Sequence, residues 1–301
     1  MSFSSRIKEE LLDQIPSSRH CQLAELAAMT VCCGSFEKEG NVQWLRVTSE
    51  NEFVQRKYFT LAGKSLKVVF GVLTRTQNRS LCAESLRDQE MLISALKLAN
   101  PLKKTVDPRL YKGSCCKRAC LRGYFLCCGS MSRPETGYHL EIAVQSAETA
   151  DQIIELMKSF SLEGKRVLRK KYHVVYLKDG EAIADFLKAI EAPRALMEFE
   201  NTRIYKDMRS RVNRKVNCEA ANISKTVTAA ARQVEDIQLI DRMKGIDSLP
   251  PRLRQMAYLR LEEQEASLEE LGRMFDPPIG KSGVNHRLRK ISEIAQVLRQ
   301  G

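Results

Sequence analysis

Cys21 to Phe36 reads CQLAELAAMTVCCGSF, and Cys116 to Met131 reads CKRACLRGYFLCCGSM. The two stretches lie 95 residues apart, seven of their sixteen positions are identical, and both close on Cys-Cys-Gly-Ser and one further residue. A motif that occurs only twice, with a long gap, indicates a duplicated subdomain; a solenoid stacks three or more copies. Ala24, Ala27 and Ala28 in the first stretch, and Ala119 and Gly123 in the second, would let two helix backbones approach closely. Two halves are therefore expected to pair about a pseudo-two-fold axis through these helices. Gly34 and Gly129 stand where each helix is expected to end, as glycine commonly does.

Working outward, the same order of elements follows each copy. After the first, Asn41 to Thr48 alternates like a strand, and Ser49 to Ala62 returns to helical spacing. Strands are expected over Lys67 to Leu73 and, more weakly, Ser80 to Glu84, then a helix from Asp88 to Leu98 that Asn100-Pro101 ends. After the second copy, strand signals cover Tyr138 to Gln145, Arg166 to Lys170 and His173 to Leu177. Helices are expected from Ala147 to Phe160 and Gly180 to Ile190. Each half is helix, strands, helix, strands, helix, so the first part of the chain is α+β.

At the start, Phe3, Ile7, Leu11 and Ile15 recur every four residues among Arg6, Lys8, Glu9, Glu10 and Asp13. That is an amphipathic helix docked on a core, and the charges exclude an export signal. No run approaches the ~18 apolar residues of a membrane span. A cytoplasmic protein without membrane contact is expected.

The ten cysteines are then expected to be reduced. Five cluster at Cys115, Cys116, Cys120, Cys127 and Cys128. The spacing lacks two CxxC knuckles and histidines are few, so a metal site is disfavoured. Cys116, Cys120 and Cys127 share one helical face and are expected to pack as small hydrophobes. No cofactor and no metal ion are expected.

Leu121 to Ser130, LRGYFLCCGS, resembles the signature helix of the LAGLIDADG homing endonucleases, and Leu26 to Ser35, LAAMTVCCGS, resembles it more weakly. The resemblance implies that the two helices form the interface between halves of αββαββα topology. It also implies that the residue before each glycine would be the acid that binds the catalytic metal. Cys33 and Cys128 stand there, and thiols are poor ligands for magnesium, which takes hard oxygens. The fold carries over and the cleavage chemistry does not, since two-metal phosphodiester cleavage relies on such carboxylates. Whether these thiols are inert packing or an acquired site is open.

The net charge of +12 and the pI near 9.3 favour a polyanionic partner, nucleic acid first. From Arg203 to Arg232 there are eight Lys or Arg against two acids. Arg209, Arg211, Arg214 and Lys215 are the candidate phosphate contacts there, and Asn217 and Asn222 suggest a turn between helices. From Ala220 on, everything reads as helix. Gly245 ends one helix, and Leu249-Pro250-Pro251 opens the next. Ser267 to Glu270 is a capping box, and Asp276-Pro277-Pro278-Ile279-Gly280 breaks the short helix it starts. A last helix begins near Lys281, with Val284, Leu288, Ile291 and Ala295 inward and Ser282, Asn285, His286 and Arg289 outward. Short helix, tight turn, longer basic helix is the helix-turn-helix pattern. Arginine can bridge the two acceptors of guanine and asparagine the donor and acceptor of adenine. Lys281, Arg287 and Lys290 flank the row as phosphate contacts.

SFSSRIKEEL at the start, YHLEI after the second repeat, VNRKVNCEAANISKTVTAAARQ before the last helices and KSGVNHRLRKI near the end together resemble the WhiA family of bacterial regulators, nearly end to end. The resemblance implies a degenerate LAGLIDADG-like domain over residues 1–192, with halves of about 1–100 and 110–192. A basic linker over 193–221 and a sigma-factor-region-four-like helix-turn-helix domain over 222–301 follow. It also implies roles in sporulation-linked transcription, cell division and chromosome segregation. The expected function is non-enzymatic regulation by a nucleoid-associated protein through double-stranded DNA, with the former nuclease saddle of the α+β halves as a candidate source of added backbone contacts. Two alternatives are a metal-dependent endonuclease, which the missing carboxylates disfavour, and a scaffold that docks RNA polymerase, a sigma factor or a division protein.

Overall fold

The computed structural model of the chain describes residues 2–40, 42–75, 78–98 and 104–300. Two compact units divide at Asp207 and Met208.

In the first unit, α1 (Phe3–Asp13) begins at Ser2, whose hydroxyl accepts from the Ser5 amide. It buries Phe3, Ile7 and Leu11, the docked helix that the four-residue spacing predicts. The first half continues with α2 (Arg19–Cys33), β1 (Gly34–Glu39), β2 (Val42–Thr48), α3 (Glu52–Leu66), β3 (Phe70–Arg75), β4 (Asn78–Ala83) and α4 (Leu86–Ala95). The second repeats it with α5 (Ser114–Cys128), β5 (Gly129–Met131), β6 (Leu140–Val144), α6 (Ala147–Lys158), β7 (Lys165–Arg169), β8 (Tyr172–Leu177) and α7 (Gly180–Ala189). Each half carries a four-stranded antiparallel sheet, in the orders β1-β2-β4-β3 and β5-β6-β8-β7. Gly34 pairs with Val47 and Gly129 with Ile142, so the two registers coincide at the same 95-residue offset as the repeat. One core cluster draws on both halves.

The seam between the halves is α2 against α5. Ala24, Ala27, Ala28 and Ala119 are fully buried. A Cβ added to Gly123 would lie 2.6 Å from the Glu25 carbonyl oxygen and 3.0 Å from Ala28 Cβ, so the close approach read from the small residues is present. A buried charge group crosses it. Glu25 accepts from Arg122 Nε at 3.0 Å and lies 3.4 Å from Lys57 Nζ, and all three side chains are buried. The other side of Arg122 reaches Glu191 at 2.6 Å.

Two local expectations change. Gly34 and Gly129 do stand at the helix ends, but with φ of −86° and −83° in extended backbone. They open β1 and β5, which spacing alone did not reveal. Gly129 is required for room, because a Cβ there would collide with the Phe125 ring and carbonyl. The strand expected from Lys67 starts at Phe70, because Lys67 closes α3 in the left-handed region at φ 56°.

The helix α8 (Pro193–Lys244), 52 residues long, starts in the first unit and ends in the second. The Glu10 carboxylate caps its start, accepting from the Arg194 and Ala195 amides at 2.7 and 2.9 Å. Gly245, at φ 77°, stops it, a conformation that glycine adopts without strain. The turn expected at Asn217 and Asn222 is absent, and residues 193–221 are helical throughout. Asparagine lowers helix propensity by only a fraction of a kcal/mol, too little to interrupt a helix fixed at both ends.

In the second unit, α9 (Pro251–Glu262), α10 (Leu268–Arg273) and α11 (Lys281–Gln300) pack with the end of α8 around Ile237, Ile240, Met256, Leu271, Phe275, Val284, Leu288 and Ile291. The capping box is formed: Ser267 accepts from the Glu270 amide and Glu270 from the Ser267 amide. Arg260 is buried and donates to the Glu263, Gln264 and Ala266 carbonyls at 3.2, 3.3 and 2.8 Å, fixing the loop from α9 to α10. Between α10 and α11 the turn passes so close that a Cβ on Gly272 would overlap the Ile279 carbonyl.

Candidate nucleic-acid interface

The last helix divides into two faces. Val284, Leu288, Ile291 and Ala295 are buried, at 0 to 1% exposure. Ser282, Asn285, His286 and Arg289 are all exposed, and their spacing of three, four and seven residues puts them on one side. Lys281 is exposed in the first turn, and Lys290 is exposed beside the row. Arg287 is half-buried, with its guanidinium 4.9 Å from the centre of the Phe275 ring. That stacking fixes its stem, so it is less free for a phosphate than its position in the sequence suggests. Arg289 and Lys290 share one acid, with Glu293 at 3.2 and 3.0 Å. These two cations hold the Glu293 carboxyl below its usual range.

Every side chain from Met208 to Ala229 on α8 is exposed. At about 100° per residue, Arg211, Arg214 and Lys215 share one side, and Arg209 lies about 140° away from Arg214. The basic cluster of the sequence is thus not a single face: Arg209 stands apart. Lys225 and Arg232 fall in line with Arg214, eleven and seven residues further along, near-integral numbers of turns. Sequence reasoning passed over these two, and the signal was available in that spacing once one continuous helix was assumed. Lys225 and Thr226 line a cleft of about 310 Å³ together with Lys281 and Asn285. Arg232 and Lys225 line a neighbouring cleft with Ser292. The basic side of α8 therefore leads to the exposed side of α11 within one unit.

Two arginines on the sheets of the first unit are held in ion pairs. Arg46 is buried and tied to Glu37 and Glu39 at 2.8 and 2.9 Å, and Arg169 reaches Glu141 at 3.1 Å. At the ends of α2 and α5, Cys33 and Cys128 are half-buried. The hydrogen bond with Cys127, then burial, pushes the Cys33 thiol well above its ordinary value. A protonated thiol cannot hold a hard cation in place of a carboxylate. Cys120 is fully buried, as core packing requires, whereas Cys115 is exposed.

Two family models cover most of this arrangement: the WhiA LAGLIDADG-like domain matches residues 117–209 and the WhiA C-terminal HTH domain residues 212–295. A probable cell division protein WhiA of Lachnoclostridium phytofermentans is 46% identical over the whole of both chains. Another, of Alkaliphilus oremlandii, is 43% identical over all of this chain and 99% of its own. The chain belongs to the WhiA family. A crystal structure of full-length DUF199/WhiA from Thermatoga maritima matches with a TM-score of 0.60 and 27% identity, covering 98% of each chain. A crystal structure of the N-terminal LAGLIDADG domain of DUF199/WhiA, at 23% identity and a TM-score of 0.50 over 63% of this chain and 92% of its own, shares the fold of the first unit. The duplicated α+β unit and the helix-turn-helix are thus the two parts of a WhiA chain. Among the described residues no helix is long and apolar enough to cross a membrane.

Proposed function

We propose that this WhiA-family protein is a DNA-binding regulator that reads double-stranded DNA with α11 and performs no chemistry on it. The observation that carries the reading is the division of α11, with four apolar side chains buried and Ser282, Asn285, His286 and Arg289 presented together to solvent. A helix so exposed has the size of a major groove, and its Asn and Arg match adenine and guanine edges. Lys281, Lys290, Arg211, Arg214, Lys215, Lys225 and Arg232 supply phosphate contacts, which fix register and carry the salt dependence. The thiols at Cys33 and Cys128 support the absence of nuclease activity. Relatives named as probable cell division proteins support a role in cell division, and we extend the proposal to chromosome segregation and sporulation-type control, exercised from the nucleoid with the transcription machinery as a further partner.

The test is binding to a selected duplex and to random duplex across a salt series. Arg289→Ala is expected to weaken the selected site by about 1–3 kcal/mol and relax preference there, with little effect on random DNA. Arg214→Ala is expected to weaken both and to flatten the salt slope by about 0.9, while Arg209→Ala leaves the slope unchanged. Equal loss on both duplexes for Arg289→Ala would remove α11 as the reading element.

A further inference from the structure

His20 and Cys21 open α2, and Cys115 and Cys116 open α5. Their ligand atoms, one nitrogen and three sulfurs, all lie within 4.8 Å of one another. His20 Nδ1 is 3.0 Å from Cys116 Sγ and 3.3 Å from Cys21 Sγ, and the Cys21 and Cys116 sulfurs are 4.0 Å apart. Cys21 and Cys116 are buried at the seam beside Ala24 and Ala119, whereas His20 and Cys115 are exposed. Among the described residues this is the one group of three or more such ligands. Its members are equivalent in pairs, because His20 and Cys115, like Cys21 and Cys116, are 95 positions apart, the offset of the repeat. The helix crossing that pairs the halves therefore brings both pairs to one point, which spacing along the chain did not foretell.

We propose that His20, Cys21, Cys115 and Cys116 form a structural zinc site that joins the two halves where α2 and α5 begin. Bonds of about 2.3 Å to sulfur and 2.0–2.1 Å to nitrogen set tetrahedral edges of about 3.8 Å between sulfurs and about 3.6 Å between nitrogen and sulfur. The nitrogen–sulfur distances of 3.0 and 3.3 Å fall short of their edge, and the sulfur–sulfur distance of 4.0 Å exceeds its own, each by a few tenths of an ångström. The two exposed side chains are free to rotate by the remainder. Three thiolates and an imidazole are soft and borderline donors, which favour zinc over magnesium or calcium. Four protein ligands leave no open position, the pattern of a structural and not a catalytic site. The thiolates would also sit in the first turns of two helices, where backbone amides favour negative charge. A disulfide between Cys21 and Cys116 would use two of the four groups and leave His20 and Cys115 without a role. The site lies at the opposite end of the helix pair from Cys33 and Cys128, so it is independent of the degenerate nuclease positions.

The experiment uses the full chain purified reduced and without chelator, equilibrated with buffered zinc alone and analysed for metal. About one zinc per chain is expected, and cobalt substitution should give the visible absorption of tetrahedral thiolate coordination. Cys115→Ser and His20→Asn, exposed positions outside the core, are expected to lose most of the zinc in chains whose tryptophan fluorescence remains native. Cys33→Ser is expected to keep it. Stripping the metal should lower the unfolding midpoint of the first unit in the parent and not in Cys115→Ser. A reduced chain that takes up no zinc, with or without a Cys21–Cys116 disulfide forming in air, would overturn the proposal. Full zinc retention in Cys115→Ser and His20→Asn would do so as well.

Discussion

The seam between the halves makes a quantitative claim at Gly123. Replacing it by alanine puts a methyl group 2.6 Å from the Glu25 carbonyl oxygen and 3.0 Å from Ala28 Cβ. Neither neighbour is the end of a flexible side chain, so the helices themselves must separate by several tenths of an ångström. That separation also stretches the 3.0 Å contact from Arg122 to Glu25. Overpacking of this kind costs about 1–3 kcal/mol, and a backbone obstacle with a buried ion pair beside it argues for the upper end. Alanine returns up to about 1 kcal/mol through its higher helix propensity. The net loss is then about 2 kcal/mol, which for a unit of this size lowers the midpoint by about 4–8 °C.

The assay is already in the chain. Trp44 is the single tryptophan and lies in β2, so its fluorescence during thermal or urea unfolding reports the first unit alone. Gly63→Ala is the internal control. Gly63 lies in α3, and a Cβ there meets nothing within 4 Å, so only the propensity gain of up to about 1 kcal/mol should appear. If Gly123→Ala proved as stable as Gly63→Ala, the two helices would not approach as described and the reasoning would be refuted.

Glu25→Ala should destabilise the same unit by about 3–5 kcal/mol, because Lys57 and Arg122 stay buried without their shared anion; an effect under 1 kcal/mol in urea titrations would mean that water enters the site. Above pH 9 the first unit should weaken. Burial pushes the Cys120 thiol up from its ordinary value of 9.0, so the unfolded chain loses that proton first and stability drops by about 1.4 kcal/mol at pH 10. Cys33 and Cys127 are pushed the same way. Lys57 opposes them: burial lowers it from 10.5 to about 8, so its contribution grows between those values as the unfolded chain holds the extra proton. Cys120→Ala should lessen the alkaline loss between pH 8.5 and 10, and an unchanged pH profile would count against this assignment. Glu293→Gln frees Arg289 and Lys290, so it should tighten binding to duplex DNA about twofold at low salt, with the gain fading as salt screens it; weaker binding would indicate that Glu293 itself contacts DNA.

What was legible in the sequence was whatever repeats or has a local mechanism. The 95-residue offset reappears in the strand registers, and Ser267 with Glu270 gives the capping box by itself. The faces of α11 follow from a period of 3.6 residues. What escaped was decided by contacts distant in sequence or by small energy differences. Asn217 and Asn222 read as a turn because their preference is local, yet α8 is held at its start by Glu10, more than 180 residues earlier, and stopped by Gly245. Arg209 joined the basic cluster by proximity along the chain, and only an unbroken helix separates it from Arg214 and aligns Lys225 and Arg232 instead. His20 and Cys115 share no local signal, since the crossing of two helices sets their meeting.

The same distinction bears on how the first unit holds its LAGLIDADG-like fold. The groups that set the helix crossing are steric: Gly123 against the Glu25 carbonyl, Gly129 against Phe125, and alanines between them. Cys33 and Cys128 are half-buried and stand at the point where each helix becomes a strand, with Cys33 in a hydrogen bond to Cys127 across the seam. The close approach of the two helices therefore rests on these steric groups. DNA recognition in the proposed function rests on a second unit with its own core, whose reading helix needs none of the seam. Substitutions along the seam should accordingly alter the unfolding of the first unit while leaving the salt slope of DNA binding by α8 and α11 where it was.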